Sequence, residues 1–93
     1  MSMSFYQQKV IRRLASGQIF GQLMQMARQA SGRSVDEAAR LAGMEASQWM
    51  AIEAGFVPDL ALLRPMADAL DLSFEQMALP VQICREAWET WEA

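Results

Sequence analysis

Two short runs, Ser34 to Ala42 and Ala46 to Ala54, constrain this chain more than any other part of it. Ser34 and Glu37 have the spacing of a capping box, in which a serine hydroxyl and an acidic side chain three residues on satisfy free backbone N–H groups at a helix start. Gly43 then supplies the residue that most readily takes a left-handed stop, so the helix opened at Ser34 is only about two turns long. After a tight connection through Gly43 and Met44, a second short helix runs to Ala54 and buries Trp49 and Ile52; Gly55 closes it and Pro58 prevents its resumption.

The flanking sequence is helical too. Alternating runs of β-branched and aromatic residues are absent, whereas alanine, leucine, methionine and glutamine are common. Ser4 and Gln7 open a helix over 4–16 that Gly17 ends, and a further helix runs from about Gln18 to Ser31 with Phe20, Met24 and Ala27 on one stripe. Between Asp59 and Leu70, Pro65 predicts either a kink or a helix that begins near Leu63 with the proline in its first turn. Ser73 and Gln76 start a short helix that ends before Pro80. The segment 81–92 forms an amphipathic helix with Val81, Cys84, Trp88 and Trp91 on one face. The expected fold class is all-α, a five-helix core over 20–77 with an added N-terminal helix and an added C-terminal helix, in a single domain spanning 1–93.

Two short helices joined by a glycine-containing turn form a helix-turn-helix, whose second helix can enter a major groove. The residues carry more than this outline. The run Ser34-Val35-Asp36-Glu37-Ala38-Ala39-Arg40-Leu41-Ala42-Gly43-Met44, followed by Trp49, Ile52, Glu53, Gly55, Pro58 and Ala67-Asp68-Ala69-Leu70-Asp71-Leu72, resembles the Cro and C1 repressor family, the xenobiotic-response-element type of bacterial regulator with a lambda-repressor-like domain. The resemblance covers about Phe20 to Met77. It implies a structural ion pair between Arg28 and Glu53, a homodimer, and a DNA-reading face at Val35, Ala46, Ser47, Gln48 and Ala51. Alanines 38 and 42 stand where the family usually has leucine, and Trp49 stands where it has isoleucine or valine, which reads as small neighbours making room for a large ring.

That face is poor in hydrogen-bonding reach. Only Ser47 and Gln48 can address base edges, Glu45 repels phosphate, and Phe56 and Val57 follow Gly55 where basic residues would meet the backbone. Positive charge for phosphate has to come from Arg33, Arg40, or Lys9, Arg12 and Arg13. An alternative reading therefore makes Val35, Met50, Phe56 and Val57 a surface for a protein partner, with Trp88 and Trp91 as further partner-binding candidates or as contacts to Val10 or Leu14.

Composition narrows the function classes. The formal net charge is −3, yet every charged residue before Ser34 is basic, while the rest of the chain sets three arginines against all 11 acids. Such asymmetry suits a preferred partner side. With no histidine, one cysteine and no glycine-rich phosphate loop, no enzyme, metal site or cofactor is expected, and Cys84 reads as a small packing residue in a reducing compartment. No apolar run reaches the length of a membrane span, so a cytoplasmic location is expected.

Overall fold

A computed structural model describes the backbone of residues 5–92 and the side-chain surroundings of 15–73, 75–86 and 89. Five α-helices follow in order: α1 (Phe5–Ala30), α2 (Val35–Ala42), α3 (Ala46–Glu53), α4 (Leu63–Ala69) and α5 (Phe74–Glu92), with a 3-10 turn over Leu60–Leu62 leading into α4. Among the described residues there is no strand. Helices α1 and α5 pack most extensively against each other, and α2 is held between α3 and α4.

The helix-turn-helix is built by its own local chemistry. Glu37 N–H donates to Ser34 Oγ at 3.1 Å, which fixes the start of α2, and Asp36 and Glu37 complement the dipole in its first turn. Gly43 ends the helix at φ 71°, a left-handed value that costs an ordinary residue roughly 1–2 kcal/mol. Its N–H and that of Met44 return to the carbonyls of Arg40 and Ala39, closing the turn.

Gly17 does not end a helix. α1 runs through it, because Gly17 and Gly21, one helical turn apart, both face the carbonyl end of α3. A Cβ on Gly17 would stand 2.1 Å from the Gly55 carbonyl oxygen, and one on Gly21 would stand 2.5 Å from that of Ile52 and 2.6 Å from that of Glu53. These glycines are therefore contact surfaces, through which the two backbones meet without intervening side chains.

Pro80 likewise lies inside α5 instead of stopping a helix before it. Its missing N–H leaves one carbonyl of the preceding turn without its usual donor. Met77, Pro80 and Cys84 are nevertheless all buried on one stripe, and that burial against α1 carries the helix through the proline. The start of α5 is a reciprocal cap, with Ser73 N–H donating to Gln76 Oε1 at 2.8 Å and Gln76 N–H to Ser73 Oγ at 3.3 Å. The separate helices expected over 4–16 and 81–92 are thus the outer parts of α1 and α5. At Pro65 the second alternative holds, with α4 beginning at Leu63 and the proline in its first turn.

Among the described residues the core is one cluster. Phe20, Met24, Trp49, Met66 and Cys84 are fully buried, joined by Ile52, Leu63, Leu70, Met77 and the small residues Ala38, Ala39, Ala42, Ala67 and Ala69. Trp49 is a core anchor at 0% exposure, and Ala38 and Ala42 of α2 lie in the same cluster. The expected contacts of Trp88 and Trp91 with Val10 or Leu14 lie outside the described side chains, as does the capping of α1 by Ser4.

Candidate nucleic-acid interface

The orientation of α3 is set by charge as well as by the core. Arg28, near the end of α1, grips Glu53 with two hydrogen bonds, Nε to Oε2 at 2.7 Å and Nη2 to Oε1 at 3.1 Å, while its Nη1 donates to the Arg33 carbonyl at 3.0 Å. Trp49 completes the network by donating its indole N–H to Glu53 Oε2, one turn further along α3. With side-chain exposures of 13% for Arg28 and 9% for Glu53, the pair is nearly dehydrated. The hydrogen bond to Glu53 holds the Arg28 guanidinium above its ordinary value, against the opposing effect of burial. The Arg28 guanidinium thus ties α1, α3 and the segment before α2 into a single joint.

What α3 presents outward follows from its register. Trp49 and Ile52 point into the core, so Ser47 and Gln48 are exposed, Met50 is 58% exposed and Ala51 is half-buried. Ala46 and Val35, two further residues of the expected face, are half-buried and pack against the core cluster. Val57 is also drawn inward, packing on the core beside Gly17, so it is a poor member of any free surface. Phe56 next to it is 71% exposed.

The basic groups divide in the same way. Arg40 is exposed on α2, and an open depression there is lined by Ser34, Asp36, Glu37 and Arg40, so acids share it with the arginine. Arg33 is half-buried and its Nη2 meets Asp71 Oδ2 at 2.7 Å, an ion pair whose aspartate is 76% exposed. Its Nη1 is buried with no hydrogen-bond partner. Lys9, Arg12 and Arg13 lie outside the described side chains, as do Trp88 and Trp91. The sequence gives little notice of the Arg33–Asp71 pair, whose members are 38 residues apart, whereas the four-residue spacings of Gly17–Gly21 and Trp49–Glu53 are visible signals of a shared helix face.

A two-turn helix, a left-handed glycine turn and a second short helix with polar outward side chains form a complete helix-turn-helix in space. A family model described as a helix-turn-helix domain matches residues 19–92. The chain belongs to the helix-turn-helix domain family. The matched residues include the whole of α5. No match was found among curated proteins or among solved structures. Among the described residues, no helix of this helix-turn-helix domain is long and apolar enough to cross a membrane.

Proposed function

We propose that this helix-turn-helix domain is a small DNA-binding transcriptional regulator of the Cro/C1, xenobiotic-response-element type, working in the cytoplasm as a homodimer on two half-sites about one helical turn of DNA apart. The observation that carries the reading is the presentation of α3: Ser47 and Gln48 stand exposed on a helix whose other side is fixed by Trp49, Ile52 and the Arg28–Glu53 pair. A rigid helix with free polar side chains is what base readout requires. Arg40, exposed on α2, meets phosphate in this reading, and Arg33 joins it by exchanging Asp71 for a phosphate oxygen.

Titration against genomic fragments at two salt concentrations tests this. Wild type should bind sequence-selectively, with affinity falling steeply as salt rises, and the Ser47→Ala, Gln48→Ala double variant should lose the hydrogen-bonded part of that selectivity while keeping its fold. Absence of binding by the wild type at low salt rules the function out.

A second reading draws on one specific observation, the exposure of Phe56 at 71% and Met50 at 58% beside the same face. If these residues hold a protein partner, Phe56→Asp abolishes recovery of that partner in a pull-down. Unchanged recovery removes the surface from consideration.

A further inference from the structure

We infer that the base pairs under α3 are A·T, recognised mainly through thymine methyl groups and the hydrogen-bonding edge of adenine. This rests on the DNA-binding reading above and specifies its target. Each base edge in the major groove calls for a particular side chain: guanine for arginine or lysine, cytosine for a carboxylate, adenine for asparagine or glutamine, and the thymine methyl for an apolar group. The outward face of α3 can therefore be read as a statement of which edges it is able to satisfy.

That face holds no arginine or lysine, since α3 is Ala-Ser-Gln-Trp-Met-Ala-Ile-Glu throughout. Ser47 and Ala51, one turn apart, form its midline, with Gln48 on one flank and Met50 on the other. Gln48 is an adenine reader, Ser47 discriminates little, and Ala51 and Met50 offer only apolar contact. Met50 is the unusual member. Its unbranched thioether is 58% exposed, flexible and polarizable, and gains by being covered with methyl groups. The acids do not contradict this assignment. Glu53 is occupied by Arg28 and Trp49, and exposed Glu45, at the cap of α3, could accept from a cytosine amino group only at the base pair beside that end. Val35 is half-buried and apolar, so the start of α2 adds no donor for guanine.

Uracil lacks only the methyl group of thymine, which makes the test direct. Random duplexes retained by the full chain at low salt are sequenced, and one retained duplex is then remade with uracil at each thymine in turn. Enrichment of A·T pairs is expected, with binding weakened about fourfold for each contacted methyl removed. Met50→Ala, an exposed substitution, should erase the thymine-over-uracil preference at its position, and Gln48→Ala should relax the adenine preference by about tenfold. Retention of duplexes with G·C pairs at the contacted positions, or equal binding of the thymine and uracil forms, overturns this inference and leaves DNA binding standing. Retention of no duplex overturns both.

Discussion

Gly21→Ala is expected to destabilise the chain by about 2–3 kcal/mol or more, lowering its melting temperature by roughly 10–20 °C. The new methyl carbon would lie 2.5 Å from the Ile52 carbonyl oxygen and 2.6 Å from that of Glu53, and both obstacles are backbone. No side-chain rotation relieves them, so α1 and α3 have to separate. Alanine's advantage of about 1 kcal/mol over glycine inside a helix offsets only part of that cost. Gly17→Ala should behave alike, with its methyl 2.1 Å from the Gly55 oxygen. Gly32→Ala provides the contrast: its φ is +73° but nothing lies within 4 Å of a Cβ there, so it bears only backbone strain of roughly 1–2 kcal/mol. Thermal or urea denaturation of the three variants ranks them, and a Gly21→Ala protein as stable as wild type would mean that the glycine seam is not closed in solution.

The second large effect is expected at Glu53. Glu53→Ala strands the Arg28 guanidinium, which among the described residues keeps only the Arg33 carbonyl, and leaves the Trp49 indole N–H without its acceptor. Removing one partner of so dehydrated a pair costs about 3–5 kcal/mol, a large share of the roughly 5–15 kcal/mol that holds a domain together. Urea denaturation should therefore show a marked fall in midpoint. The double variant Arg28→Met, Glu53→Leu separates the stranded charge from the loss of contact, because an apolar pair of similar bulk leaves no uncompensated ion. It should recover much of the loss, less about 1–3 kcal/mol for the unsatisfied indole. The sign of the pH dependence is fixed by Arg28, whose folded value is raised: its contribution is complete at neutral pH and disappears only as pH rises through that raised value. The contribution of the pair should therefore stay constant across the range where lysine and tyrosine titrate, so that Glu53→Ala lowers stability by the same amount throughout it. A Glu53→Ala protein with wild-type stability would show that the joint contributes nothing.

The sequence discloses what is decided locally. Ser34 with Glu37, Gly43, and Ser73 with Gln76 act within a few residues of themselves: Ser73 and Gln76 form both halves of their box, Gly43 takes the left-handed stop, and Ser34 supplies the serine half of its box by accepting from Glu37 N–H. Where a residue has two physical uses, spacing alone does not choose between them. Gly43 is needed for a positive φ and Gly17 for a close approach, yet as letters they are identical, and only the arrival of α3 distinguishes them. Pro80 reads as a stop because the burial that carries α5 past it depends on α1, far away in the chain. The same is true of the reading face. Ser47 and Gln48 are legible as exposed from the position of Trp49, whereas the inward turn of Val35, Ala46 and Val57 depends on the packed core, and the occupation of Arg33 depends on Asp71.

The glycine seam also makes α3 a lever. Its carbonyl end is pinned where Ile52, Glu53 and Gly55 meet α1, while Glu45 at the opposite end makes no side-chain capping bond. An eight-residue helix is about 12 Å long, so a tilt of about 10° at the pinned end displaces the far tip by about 2 Å. That displacement is enough to break the alignment of any contact made by Ser47 or Gln48. Small faults at Gly17, Gly21 or Arg28 should thus be magnified at the outer tip, so that recognition fails at doses of strain that the fold itself survives.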